Sequence, residues 1–132
     1  MKMFTLYCHP NLIYDGDTIY GWVDQGLGTW NHGASRNGMG LRLNGLNARE
    51  HNDPGGAEAR EALMGVIDSI LLTDGSFAFQ SVGWDKYSNR VDVSIPLPNG
   101  GTVNQWMIDN GWAAPWDGNG PKPLAPWPRT TR

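Results

Sequence analysis

Residues 57–72 read Ala57-Glu58-Ala59-Arg60-Glu61-Ala62-Leu63-Met64-Gly65-Val66-Ile67-Asp68-Ser69-Ile70-Leu71-Leu72, the clearest helix in the chain. Ala62, Leu63, Val66, Ile67, Ile70 and Leu71 recur at helical spacing, while Glu58, Arg60, Glu61 and Asp68 fall mostly elsewhere. Asp74-Gly75 ends the helix. Just upstream, Leu41-Arg42-Leu43 has the alternation of a strand, with both leucines on one face and Arg42 on the other. Downstream, residues 77–82 and 90–95 alternate apolar and polar side chains around a turn at residues 84–89, as paired strands do. Nearer the start, residues 4–7 and 12–14 have strand-like composition around a break at Pro10. Asp15-Gly16-Asp17 is a turn signal, and residues 18–23 are rich in β-branched and aromatic residues. Residues 26–40 carry Gly26, Gly28, Gly33, Gly38 and Gly40, which predicts a bulged strand near Trp30 followed by a mobile loop. Residues 102–110 form a short helix capped by Gly111. From Pro115 onward, five prolines and little periodicity mark a tail, laid along the body or loose.

The order is three strands, helix, two strands, short helix, tail. That is a mainly β fold with α, a five-stranded OB-fold barrel with a helix between strands 3 and 4 and a short C-terminal helix. The domain spans residues 1–114 and the Pro/Trp-rich tail residues 115–132. A length of 132 residues fits one core. Hydrophobic residues at 39% and charged residues at 17% exclude disorder throughout. The 18 glycines and 9 prolines suit short strands and turns better than a helical bundle. A net charge of −3 argues against broad nucleic-acid binding by counterion release. A local cationic site, or a divalent metal adding positive charge, is compatible with it. The single cysteine, Cys8, excludes an internal disulfide and a cysteine-based zinc site. The apolar run before Pro10 is too short for a signal peptide, and no segment approaches the roughly 18 apolar residues of a membrane span. The expectation is a cytoplasmic monomer without a membrane partner; a leader removed earlier is left open.

Asp15-Gly16-Asp17-Thr18 sets two carboxylates at a strand edge, where they can serve a hard cation or simply form a turn. It is no EF-hand loop, because Ile19 and Tyr20 stand where an oxygen ligand and a glycine are required. Arg42 is either a solvated cation or a phosphate ligand, and the same choice holds for Arg90. Asn47-Ala48-Arg49-Glu50 offers an amide oxygen and a carboxylate. Phosphodiester hydrolysis needs a base for water, positive groups around the phosphorus and often a metal. Arginine suits the phosphoryl oxygens because its planar fork donates two hydrogen bonds at once. Each of the seven tryptophans has packing as its ordinary role. His9, His32 and His51 are too scattered for a metal site and read as surface or loop residues.

Five motifs in register resemble staphylococcal nuclease-like (thermonuclease) domains over residues 12–114. They are Asp15-Gly16-Asp17-Thr18, Leu41-Arg42-Leu43 with Asn47 and Glu50, Gly56-Ala57-Glu58-Ala59, Asp85-Lys86-Tyr87 with Arg90, and Val103-Asn104 to Gly111. The resemblance implies an OB-fold and one calcium ion held by Asp17, Asn47 and the carbonyl of Ala48, with manganese or magnesium as substitutes. It implies Glu50 as general base and Arg42 and Arg90 on the scissile phosphate. Lys86 and Tyr87 would bind a neighbouring phosphate. Trp112 and Trp116 lie where the family's barrel meets its nucleotide pocket; packing suits Trp112, while Trp116 either packs or stacks a base. The implied reaction cleaves single-stranded or frayed DNA and RNA and leaves 3′-phosphate ends.

The chain departs from the pattern at four places. Asn47 stands where aspartate is usual, removing a charge from the cation site. Arg49 replaces a proline beside Glu50, where it can pair with that carboxylate or approach the phosphate. One extra residue separates Tyr87 from Arg90, and the loop 51–56 is short and lacks lysines. The segment 26–40 is longer than the family's turn and is expected to flank the substrate groove. Asn47, Arg49 and the acidic balance favour the alternative, a catalytically weak or inactive OB-fold module that binds single strands.

Overall fold

The computed structural model describes residues 4–33, 36–84 and 90–125. Eight strands and two helices follow in order: β1 (Phe4–Asp15), β2 (Thr18–Gly26), β3 (Thr29–Asn31), β4 (Met39–Leu43), β5 (Leu46–Ala48), α1 (Gly56–Ile70), β6 (Phe77–Trp84), β7 (Val91–Ser94), α2 (Val103–Asp109) and β8 (Ala113–Pro115). Five strands close on themselves. β1 pairs antiparallel with β2 and β6, β6 with β7, β7 parallel with β4, and β4 antiparallel with β2. The ring β1-β2-β4-β7-β6 is the OB-fold barrel, and α1 lies between its third and fourth strands in chain order. β3 extends this sheet beyond the ring, pairing with β2.

Pro10 does not break the first strand. It pairs with Gly21, and an irregularity follows at once between Pro10 and Leu12, with another between Ile13 and Asp15. Proline is tolerated at such bulges, and the extra residues Asn11 and Tyr14 bend β1 around the barrel. The glycine-rich segment begins with the hairpin β2–β3, which carries the bulge expected near Trp30 between Asp24 and Gly26. β4 holds the edge of β2 at residues 18–21, and β3 continues it at residues 23–26. The small β5–β8 sheet was not expected. It pairs Asn47 with Ala114 and draws Pro115 out of the tail and onto the body.

The inner faces of β1, β2, β4, β6 and β7 supply Ile13, Ile19, Leu41, Leu43, Phe77, Phe79 and Val93 to the core. α1 adds Leu63, Val66 and Ile67, and α2 adds Val103 and Met107. Thr102 caps α2 by accepting from the Gln105 N–H (3.0 Å). Asn104 locks α2 to the barrel. Its Oδ1 accepts from the Ile95 N–H (3.1 Å), and its Nδ2 donates to the carbonyls of Val93 (3.0 Å) and Asn44 (2.9 Å). No helix among the described residues is long and apolar enough to cross a membrane.

Candidate phosphate site

Register alone brings the two arginines together. Thr18 faces Arg42 across β2–β4, and Leu41 faces Val91 across the parallel pair, which sets Arg90 beside Gly40. The absent side chain of Gly40 is what admits Arg90. A Cβ there would stand 2.6 Å from Arg90 Cγ and 3.0 Å from Tyr20 Cε1. Arg90 also donates from Nη1 to the Thr18 hydroxyl (3.3 Å).

Arg42 is not a solvated surface cation: it is 8% exposed. Its Nη1 donates to the carbonyls of Leu43 (3.3 Å) and Leu46 (3.2 Å), and its Nη2 faces Asp17 Oδ2 at 3.5 Å. The guanidinium lies over Trp116, 5.5 Å from the ring centre, where the cation meets the negative ring face. These contacts fix the plane of the fork before any ligand arrives, which is the preorganisation electrostatic catalysis needs.

Asp17 sits at the β1–β2 turn and is buried. Its Oδ2 accepts from the Ala48 N–H (3.0 Å) and its Oδ1 from the Thr18 hydroxyl (3.0 Å). Asp15, also buried, accepts from the Asp17 N–H (3.2 Å). Burial first, and then the charge of Asp17, hold the Asp15 carboxyl well above the usual carboxylate range.

Glu50 follows β5 and is exposed. Its carbonyl accepts from the Asp53 N–H (2.9 Å), and Gly56 at the start of α1 packs against that same carbonyl, so that any Cβ at 56 would overlap it. The short loop 51–56 therefore holds Glu50 by backbone contact rather than by its side chain.

One cavity of about 120 Å³ is lined by Asp15, Asp17, Arg42, Asn47, Glu50 and Arg90, with Tyr14, His51 and Lys122 completing its wall. A second cavity of about 270 Å³ shares Arg42, Arg90 and Lys122 and extends between Trp84 and Trp116. No family model matches the chain, and no curated protein matches it.

Of the residues singled out in the sequence, Asp17, Arg42, Asn47, Glu50 and Arg90 meet at the first cavity, and Trp116 lines the second. Ala48 does not line either; its N–H, not its carbonyl, is the group that meets Asp17. Lys86 and Tyr87 lie outside the described residues. Trp112 packs against the core. Arg49 donates from Nε to the Ala125 carbonyl (2.8 Å), and Asn47 donates from Nδ2 to the Pro123 carbonyl (3.0 Å). These bonds hold the C-terminal segment beside the site and bring in Lys122, which sequence reasoning missed. Its only signal was a cation between two prolines, Pro121-Lys122-Pro123. Trp84 was missed as well, and His51, an exposed loop residue as expected, also lines the first cavity.

Among the described residues no group of three or more His, Cys, Asp or Glu side chains is arranged to hold a metal. The donor set is instead two buried carboxylates and an amide oxygen at one cavity. These are hard oxygen ligands, and a cation would offset the repulsion between Asp15 and Asp17. The Asp17 oxygens already accept from the Ala48 N–H, the Thr18 hydroxyl and Arg42.

Proposed function

We propose that the chain is a metal-dependent phosphodiesterase acting on single-stranded or frayed nucleic acid. One observation carries this reading: two preorganised arginines, a solvent-accessible glutamate and a buried carboxylate pair share one small cavity, although they come from distant parts of the sequence. Asp17 and Asn47, backed by Asp15, are the residues that would hold a calcium ion. When bound, such an ion would supply positive charge beside the phosphorus and make a nearby water more acidic.

The chain's own groups do the rest. Arg42 and Arg90 bind the non-bridging oxygens and strengthen their hydrogen bonds as negative charge builds there. Glu50 accepts the proton of the attacking water. The new P–O bond forms as the P–O5′ bond breaks, and the departing O5′ takes a proton from solvent water, leaving a 3′-phosphate and a 5′-hydroxyl. Lys122 adds a third cation, and Trp116 and Trp84 offer faces for the flanking bases.

The test is cleavage of a labelled single-stranded oligonucleotide with calcium and with a chelator. Glu50→Ala should lower the rate by about 10²–10⁴-fold, and Arg90→Ala by about 10²–10³-fold. Glu50 is exposed, so its variant should unfold at nearly the wild-type temperature, whereas Arg90→Ala should unfold slightly lower, since that side chain packs on Gly40 and bonds the buried Thr18 hydroxyl. Full activity in both variants would sink the assignment. Salt-sensitive binding without new ends, even at high calcium, would replace it with the binding-module reading.

A further inference from the structure

On the same outer surface, beyond the phosphate site, β1, β2 and β3 form a cleft of about 580 Å³ lined by His9, Pro10, Asn11, Trp22, Trp30 and His32. Register explains the cluster. His9 faces Trp22 across β1–β2, and Trp30 faces Asp24 across β2–β3, so these side chains share one face. Trp22 stacks on His32 at 4.5 Å with an interplanar angle of 14°, and His9 meets Trp30 edge-on at 4.6 Å. Both tryptophans keep large exposed faces, 45% for Trp22 and 37% for Trp30. The glycine-rich segment is clasped to β1 by the Asn11 Nδ2 bond to the Asn37 carbonyl (3.0 Å). Gly38, with φ of 112°, lies so close to the Gly21 backbone that no Cβ fits.

The cleft lies along the same strand face as the phosphate site, although the cavities share no lining residue. Alternation along β2 sets Thr18, Tyr20 and Trp22 on one face. Thr18 accepts from Arg90, and Tyr20 adjoins both Arg90 across Gly40 and the ring of Tyr14 (6.0 Å). Four residues of strand put Trp22 about 13 Å from Thr18. The described lining residues carry no carboxylate, although Asp74 Oδ2 stands 3.9 Å from His9 Nε2, and the cleft volume lies within the range of small-molecule sites.

We infer that this cleft is a second subsite that stacks an unpaired base of the strand whose phosphate lies at Arg42 and Arg90. The inference rests on the proposed function for its ligand. Stacking accepts any base, because every base has a flat π face, so the subsite selects single strands of sufficient length and not a sequence.

The experiment uses the full chain with chelator present. A fluorescein-labelled oligothymidylate of eight nucleotides, a thymidine dinucleotide and an abasic octamer are compared by anisotropy. Trp22→Ala with Trp30→Ala should weaken the octamer by about 5- to 150-fold, leaving the dinucleotide and the abasic octamer unchanged. If that variant misfolds, Trp30→Ala alone must still weaken the octamer selectively. Unchanged octamer binding with dinucleotide binding intact overturns the subsite and leaves the phosphodiesterase standing. An equal loss on the abasic octamer overturns base stacking, as does a neutral oligosaccharide occupying the cleft in place of the octamer. Tryptophan-dependent octamer binding in a protein that cleaves nothing supports the subsite and removes the phosphodiesterase.

Discussion

Replacing Asn104 by alanine should destabilise the protein by about 2–4 kcal/mol, and the structure says where that figure comes from. Asn104 is 8% exposed and makes three hydrogen bonds. The Val93 carbonyl keeps a second donor, the Asn44 N–H at 2.9 Å, so its loss is small. The Asn44 carbonyl is partly buried and loses a bond worth about 0.5–1.5 kcal/mol. The Ile95 N–H belongs to a residue at 0% exposure and is stranded, costing about 1–3 kcal/mol. For a chain of this size the melting temperature should fall by roughly 6–16 °C. Urea and thermal unfolding followed by tryptophan fluorescence and circular dichroism would measure it. Asn104→Asp is the sharper control. It sets a buried carboxylate against two carbonyls, so burial raises its pKa and its deficit relative to wild type should shrink as pH falls. A loss below about 1 kcal/mol for the alanine variant would refute the reasoning, since a buried N–H would then have been abandoned at little cost. The turn that Asn104 grips carries Leu43 and Leu46, whose carbonyls hold Arg42. The phosphate site should therefore loosen along with the fold.

Two glycines of α1 should respond oppositely to one substitution. Gly65→Ala, with open space around the new methyl, should stabilise by about 0.4–1 kcal/mol, whereas Gly56→Ala should destabilise and impair cleavage because the methyl collides with the Glu50 carbonyl; equal chemical-denaturation midpoints would disprove this. Burial pushes the Cys8 thiol from 9.0 up to about 12, so a disulfide reagent at pH 8 should modify it only after unfolding. Because that folded-state value is raised, the associated stability is intact below pH 9 and is lost as pH rises toward 12; Cys8→Ala should flatten that part of the profile, and parallel profiles would count against it. With Arg42, Arg90 and Lys122 as the cations in reach among the described residues, their share of the logarithmic salt dependence of single-strand binding should have a slope of about −2, falling by about 0.7 in Lys122→Ala. A slope unaffected by that change would mean Lys122 meets no phosphate.

The barrel was legible because its signals are local. The helical spacing of Leu63, Val66 and Ile67 and the alternation around Leu41 and Leu43 follow from which face must be buried, and the buried set agrees. The outward direction of Arg42 was legible for the same reason; its burial was not, because the cover comes from Trp116, far along the chain. β5 and β8 are three residues each and exist only through their mutual pairing, so no periodicity announces them. Pro10 looked like a break because the bulge that accommodates it depends on β2. Lys122 was invisible for a different reason: the bonds that dock its segment end on the carbonyls of Pro123 and Ala125, and a backbone carbonyl has no signature in sequence.

Asn47 and Arg49, the residues that looked like defects when set against the family resemblance, share one structural task. Each donates a hydrogen bond to a carbonyl of the C-terminal segment, Asn47 to Pro123 and Arg49 to Ala125. An aspartate at 47 would turn a carboxylate oxygen toward the Pro123 carbonyl, and a proline at 49 would have no side-chain donor at all. Neither expected residue is compatible with this docking. The segment they hold is further fixed by the Trp116 N–H bond to the Gly45 carbonyl (2.9 Å) and by Ala125, which is 1% exposed. Its prolines reduce the entropy lost on ordering it. What the docked segment brings is Lys122, which lines both cavities, and the Trp116 face over Arg42. On the proposed reading, that added cation would share with a metal the task of holding a phosphodiester. The fold thus gathers three cations at one cavity, set among the carboxyls of Asp15, Asp17 and Glu50, in a chain whose net charge is −3.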